Sequence, residues 1–315
     1  MIKTKKVTRF SQNKPSWKDI ENQFIATFPL RGIGIAQWSK SERIKNERNY
    51  IEACERAEVI STLLKTKKFD EEYEKEIFEF ITYPDVFTFT QNNEHIYVQK
   101  DELKFHLLKT SEGIIEAKLT CLLLAHKNIK TLCLEEPDRG MHPQMIERLK
   151  TVLCRAAYNK TIIVVTHSPI FIDNVTFNNT HVFFRQKRKD DLNNCSLKKV
   201  RIRSSELSNL SDIEIIRSVL FATKVLLVEG VTDREVVQGI FTEYKKKHHG
   251  NIGRKIGEFK RDITTYQVVS VNGCQNIQRV RNFCEHIHLT CLCLMDLDTI
   301  VHCEIVKMLN VPCKT

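Results

Sequence analysis

The chain has 315 residues and a formal net charge of +10, with 42% hydrophobic and 28% charged residues. That length allows about two domains, and the composition suits a chain that builds a core, which excludes global disorder. No run of about 18 apolar residues occurs, and no apolar signal core follows the basic start Met1–Lys6, so neither a membrane span nor a secretory leader is expected.

A basic balance favours polyanionic partners, nucleic acid first among them. The 11 cysteines sit mostly inside apolar runs, among them Cys121, Cys133, Cys154, Cys291 and Cys293. No CxxC pair occurs. This pattern suits buried free thiols in a reducing compartment rather than a disulfide framework or zinc ribbon. The expected location is intracellular: the cytoplasm, or the nucleus for a eukaryotic host.

Residues 1–40 carry little pattern beyond an apolar, glycine-containing run at Phe28–Ile35. Over 41–82, Ile51, Cys54, Ala57, Ile60 and Leu64 recur at helical spacing and predict one or two amphipathic helices. Residues 86–100 alternate around Gln91–Glu94 and predict a hairpin. A helix follows at 113–126, a strand at 130–135, a helix at 143–157 and a strand at 161–166. Strands at 181–185 and 197–203 flank a polar stretch. Ser211-Asp212-Ile213-Glu214 has capping-box form and opens a short helix to about Phe221. Then come strand 224–228, helix 232–247, strand 267–271, helix 275–287 and strand 291–295. Strands alternating with helices predict parallel sheets and an α/β class.

Two groups of residues carry chemistry. Leu132–Pro137 is an apolar strand ending in Glu135 and Glu136. Acids at the carboxyl end of a parallel strand can hold a cation or orient a water, although the same pattern also describes a strand ending in a charged turn. Asp138–Pro143 follows at once. A second apolar strand, Ile162–Thr166, ends in His167. Upstream, Ser111-Glu112-Gly113 opens a helix, where backbone N–H groups can bind phosphate.

The second group begins at Val225–Val228, an apolar strand ending in Glu229-Gly230, with Asp233 four residues after Glu229. Leu292–Met295 is another apolar strand ending in Asp296-Leu297-Asp298. Side chains two apart on a strand share a face, so Asp296 and Asp298 can converge. If the two strands are neighbours, four carboxylates meet at one edge and need divalent cations to offset their repulsion. Hard oxygen donors suit Mg²⁺ or Mn²⁺. Solvated turn acids are the competing reading. Lys245–Lys247 with Arg254, Lys255, Lys260 and Arg261, and Arg185 with Lys187–Lys189, form basic clusters that are either solvated surface or phosphate contacts.

In this order the residues of 105–175 resemble the ABC-type ATPase head of the OLD and RecF-like families. Ser111-Glu112-Gly113 resembles a loose signature motif, Leu132–Glu136 a Walker B strand, Asp138–Pro143 a D-loop, and His167 a switch histidine. The resemblance implies nucleotide binding by Ser111, Gly113, Glu135, Asp138 and His167, with Glu136 as catalytic base, and a homodimer of heads. No GxxxxGK[ST] occurs in the sequence. The expectation is therefore a fragment, a truncated product or a degenerate relative, using ATP only if a phosphate loop is supplied upstream.

Residues 222–300 resemble the TOPRIM domain of OLD nucleases. By that resemblance Glu229 is the acid near the scissile phosphate or a metal ligand, and Asp233, Asp296 and Asp298 are metal ligands for two Mg²⁺ or Mn²⁺ ions. No downstream basic residue can be assigned to the site. The implied fold is the C-terminal part of an ABC-type ATPase head followed by a Rossmann-like parallel-sheet TOPRIM domain. The implied organisation is a partial ATPase domain over 1–203, a linker helix at 204–221 and a TOPRIM domain over 222–315. The implied function is a metal-dependent DNA endonuclease or nickase coupled to the ATPase head. The alternative is a degenerate, non-catalytic module that binds DNA or regulates a partner. A primase or topoisomerase is disfavoured, because those TOPRIM enzymes carry no ABC-like half.

Overall fold

A computed structural model describes residues 23–28, 50–52, 55–92, 95–185, 195–199, 213–249 and 265–296. The chain divides into two compact units, Met1–Phe171 and Ile172–Thr315. That division falls well before the 203/204 boundary expected from the sequence.

The first unit is built on a four-stranded parallel sheet in the order β2-β1-β6-β7. Its strands are β1 (Phe24–Phe28), β2 (Tyr50–Glu52), β6 (Thr131–Glu135) and β7 (Thr161–Val165). Leu132 and Leu134 alternate into the core with Ile162 and Val164 of the next strand, as the period of two requires. Helices α1 (Arg56–Thr66), α2 (Glu71–Thr82), α3 (Glu112–Ala125) and α4 (Pro143–Ala156) contribute to that same core. Helix α4 turns Ile146, Leu149, Val152, Leu153 and Ala156 inward at spacings of three and four. It begins on His142, whose Nδ1 accepts from Gln144 N–H at 3.3 Å, with Pro143 in the first turn where no N–H is needed. Helix α3 is buried on almost every side, so its charged residues are paired: Arg56 with Glu116, and Lys118 Nζ with Glu74 at 2.8 Å.

The hairpin expected over 86–100 is present as β3 (Phe87–Asn92) against β4 (His95–Lys100), and β5 (Leu103–His106) extends it to three strands. Ile51 fits the helical period but lies in β2, paired with Thr27 of β1. A ladder with a distant strand outweighs local spacing there.

Where α3 begins, the backbone of Gly113 lies directly against Gly140: a Cβ at 113 would sit 2.4 Å from the Gly140 carbonyl oxygen. Gly140 itself has φ +70°. Gly113→Ala is expected to destabilise the protein by about 1–3 kcal/mol through this overpacking, read as a lower urea midpoint with unchanged m-value. An unchanged midpoint would show that the two turns do not touch.

The second unit centres on a three-stranded parallel sheet, β11 (Gln267–Ser270), β10 (Lys224–Val228) and β12 (Thr290–Cys293), with β10 in the middle. Val225, Leu227 and Val269 face a core shared with α5 (Ile213–Leu220) and α7 (Cys274–His286). Leu226, Val228 and Val268 face Val237 and Phe241 of α6 (Val231–His249). Helices thus cover both faces, as a parallel sheet requires. Helix α5 is not a bare linker: Ile215, Ile216 and Val219 form an apolar stripe buried in this core. Strands β8 (His181–Arg185) and β9 (Cys195–Lys199) pair as an antiparallel hairpin. Among the described residues, no helix is long and apolar enough to cross a membrane.

Candidate functional site

The first candidate site lies at the carboxyl ends of β6 and β7. Glu135 ends β6, and the ladder runs one residue further because Glu136 N–H donates to the Val165 carbonyl at 2.7 Å. Glu136 then turns with φ +51°, a left-handed conformation uncommon for a residue with a Cβ. That turn sends the chain into Asp138–Met141 and leaves the Glu136 carboxylate at the strand end. Its Oε1 is 3.8 Å from His167 Nε2, and the His167 side chain is 85% exposed. The separation is too long for a hydrogen bond, so the imidazole remains open to solvent and to a ligand.

Sequence reasoning missed Thr166. Its hydroxyl donates to Asp138 Oδ1 at 3.0 Å and accepts from Ser168 N–H at 2.9 Å. It thereby ties the loop after β6 to the loop after β7 on either side of His167. Thr166 was legible only as the residue before the histidine. The helix-opening segment joins the same neighbourhood. Ser111 occupies the N-cap of α3 without a side-chain hydrogen bond to the helix. Gly113 packs on Gly140, and Glu112 Oε1 pairs with Arg139 Nε at 2.8 Å. Ser111, Gly113, Glu136, Asp138 and His167 therefore belong to one connected strand-end region.

The second candidate site lies at the carboxyl end of β10. Glu229 follows the central strand, and its Oε1 accepts from Asp296 N–H at 2.9 Å. Leu294 N–H donates to the Leu227 carbonyl at 2.9 Å, carrying the β10–β12 register to that point. On the other flank, Val271 N–H donates to the Val228 carbonyl and Gly273 N–H to the Glu229 carbonyl at 2.8 Å. Asn272 (φ +56°) and Gly273 (φ +120°) form the turn that permits this approach. Asn276, which sequence reasoning gave no role, donates from Nδ2 to the Val271 carbonyl at 2.9 Å and braces the turn.

Asp233 reaches back from the first turn of α6, and its Oδ2 accepts from Gly230 N–H at 2.7 Å. This is the returning half of a capping box. Asp233→Ala is expected to cost about 1 kcal/mol by loss of that cap, seen as a lower unfolding temperature without loss of the folded baseline. A variant as stable as the parent would sink the capping role.

The structure therefore places Glu229, Asp233 and Asp296 at one sheet edge, while Asp298 lies outside the described residues. Carboxylate oxygens are the donors Mg²⁺ and Mn²⁺ select, but the structure joins Glu229 to the main chain of Asp296 and Asp233 to that of Gly230, not the three carboxylates to one another. Among the described residues, no group of three His, Cys, Asp or Glu side chains is close enough to hold an ion.

Cys291 and Cys293 share the face of β12 that packs on the second core. A hydrogen bond with Cys284 pushes the Cys291 thiol up to about 12, and one with Cys291 pushes Cys293 higher still. Both stay protonated at neutral pH, as suits core thiols. The basic cluster at Lys245 and Lys246 is exposed on α6. The side chains of Arg185, Lys187, Arg188, Lys189, Arg254, Lys255, Lys260 and Arg261 lie outside the described residues.

Residues 16–173 match the family described as "AAA domain, putative AbiEii toxin, Type IV TA system". Residues 220–298 match "Overcoming lysogenization defect protein-like, TOPRIM domain". An OLD nuclease from Thermus scotoductus (strain ATCC 700910 / SA-01) is 28% identical over 183 residues, covering 55% of this chain and 31% of that relative. The chain thus spans about a third of that relative's length. Among solved structures, a chain from work on ATP-driven dimerization and DNA-stimulated activation of SMC ATPases overlaps 49% of this chain and 97% of its own, at 12% identity and TM-score 0.35. An Smc head domain from Pyrococcus yayanosii overlaps 49% of this chain and 30% of its own, at 11% identity and TM-score 0.36. The two family matches follow each other in the order the strand-end acids suggest: the chain belongs to the AAA-domain family whose model covers residues 16–173, and its residues 220–298 match the OLD-like TOPRIM domain.

Proposed function

We propose that this chain carries the phosphodiester-cleaving part of a divalent-cation-dependent DNA endonuclease or nickase, joined to an ABC-type ATPase head. One observation supports this reading above the others: Glu229 Oε1 receives Asp296 N–H at 2.9 Å across two neighbouring parallel strands. That bond brings two acids 67 residues apart in sequence to one strand end. Acids that share a strand end favour a cation, which offsets their repulsion.

Glu229, Asp233 and Asp296, with Asp298, are the residues that would hold Mg²⁺ or Mn²⁺. A cation held there supplies Lewis acidity toward a phosphodiester. The chain's own groups do the rest. The Glu229 carboxylate, fixed through Asp296 N–H, is positioned to hold or give up a proton at the reacting phosphate. Asp233 holds the Gly230 turn, and Asn276 holds the Asn272-Gly273 turn, so both flanks of Glu229 keep their shape when a polyanion approaches. In the ATPase head, Glu136 would act as base and His167 would meet the terminal phosphate. Glu135, Asp138, Ser111 and Gly113 would complete the nucleotide edge, with two heads meeting in a homodimer. The phosphate loop that this chemistry also needs is not in the sequence, so ATP use depends on its being supplied from elsewhere.

The test is supercoiled plasmid incubated with the chain and Mg²⁺ or Mn²⁺, with and without ATP. The expected result is conversion to open circles that EDTA prevents. DNA binding without conversion, by folded protein in either metal, would overturn the reading and support a non-catalytic module.

A further inference from the structure

Three connections of the first unit, separate in sequence, meet at the end of the sheet opposite the strand-end acids. The α1–α2 turn brings Lys68, the α3–β6 loop brings Lys127 and Lys130, and the α4–β7 loop brings Lys160. Their convergence is fixed by backbone. Lys127 N–H donates to the Lys68 carbonyl at 3.1 Å, and Thr161 N–H donates to the Lys130 carbonyl at 2.8 Å. Lys160 Nζ donates to the His126 and Ile129 carbonyls at 2.8 and 2.7 Å, which ties the third loop to the second. Lys68, Lys127 and Lys130 are exposed.

Two acids at the start of α2 have partners of their own. Asp70 caps α2 through Tyr73 N–H, and Glu71 pairs with Lys67 at 3.2 Å. Burial and then the charge of Lys130 lower the pKa of Lys160, while burial, Lys160 and Lys68 lower that of His126. Cations gathered this way create a positive surface potential that a polyanion relieves.

We propose that Lys68, Lys127, Lys130 and Lys160 form a docking surface for the phosphate backbone of nucleic acid, at the end of the first unit's sheet opposite its strand-end acids. Protein partners are held by a buried apolar centre with a polar rim. This surface offers loop ends and lysines, with Tyr158, 91% exposed, as the large apolar side chain on those loops. Charge along a backbone needs no apolar anchor, so nucleic acid fits where an acidic protein does not. The interaction would be independent of sequence and steeply salt-dependent.

The test uses the full chain, a fluorescein-labelled DNA duplex and EDTA, so that cleavage plays no part and failure of the nuclease reading would not affect it. Anisotropy titrations over a salt series compare the parent with Lys68→Ala/Lys127→Ala/Lys130→Ala. Lys160 is left intact because it ties two loops together. The expected result is weaker binding and a log–log salt slope shallower by about 2–3, roughly 0.9 for each phosphate that the variant no longer neutralises. Lys245→Ala/Lys246→Ala, on the other basic cluster, should retain the contribution of this surface. Three results would overturn the proposal: no duplex binding by the parent, an unchanged slope in a triple variant with unchanged unfolding temperature, or loss of binding to polyglutamate with duplex binding retained.

Discussion

Glu229→Ala is expected to reduce divalent-cation-dependent plasmid nicking by about 10²–10⁴-fold, the range for loss of a positioned acid or base. On the proposed reading the side chain has two tasks, and they can be separated. One would be chemical, at the reacting phosphate. The other is structural, since Oε1 receives Asp296 N–H and pins the end of β12 to β10. Glu229→Gln keeps an oxygen that can accept that N–H but loses the negative charge and the proton-holding capacity. If the chemical role dominates, Gln is as inactive as Ala while unfolding at the parent temperature. If the acid only positions Asp296, Gln recovers most of the activity. Asp296→Ala should match Glu229→Ala in activity. It should leave the Glu229–backbone bond in place, because that bond uses the main chain of residue 296. Full activity in both alanine variants would remove the strand-end acids from the reaction.

The features that the sequence discloses are local ones. Apolar runs such as Leu132–Leu134 and Val225–Val228 announce buried strands, and the acids that end them mark the site edges. The spacing of Ile146, Leu149 and Leu153 announces α4, and Pro143 marks its start. Pairings at long separation are silent in the sequence. Arg56 and Glu116 are 60 residues apart, Lys118 and Glu74 are 44 apart, and nothing in their local pattern links them. The three-residue strand β2 exists only because β1 accepts it as a ladder partner, so the helical period of Ile51 misleads. Helix α5 looks like a linker because its capping box is read before its apolar stripe. Glu229, Asp233 and Asp296 are legible individually as strand-end or turn acids. Their arrangement is not, because it depends on the strand order β11-β10-β12, which composition and periodicity do not determine.

Arg56→Met is expected to destabilise the protein by about 3–5 kcal/mol, the cost of stranding one member of a buried ion pair. Both side chains are desolvated, at 7% and 2% exposure. Arg56 also donates from Nη1 to the Phe28 carbonyl at 3.3 Å, so the change leaves the end of β1 without that partner. Burial raises the pKa of Glu116, against the opposing hydrogen bond and charge of Arg56. A carboxyl whose folded pKa lies above its unfolded value binds more protons when folded. Its contribution therefore favours the fold below about 4.5 and is lost as pH rises through the folded value. Removing Arg56 takes away what opposes burial, so the folded value climbs further. The deficit of Arg56→Met should then be smaller at about pH 5 than at about pH 8. Arg56→Met/Glu116→Leu removes both charges and should recover most of the loss, because apolar side chains can fill a buried pair's volume at little net cost. Urea unfolding at the two pH values measures all three quantities. A single-variant loss below about 1 kcal/mol, or one that does not vary with pH, would mean that water reaches Glu116 and that α3 is not held by a desolvated pair.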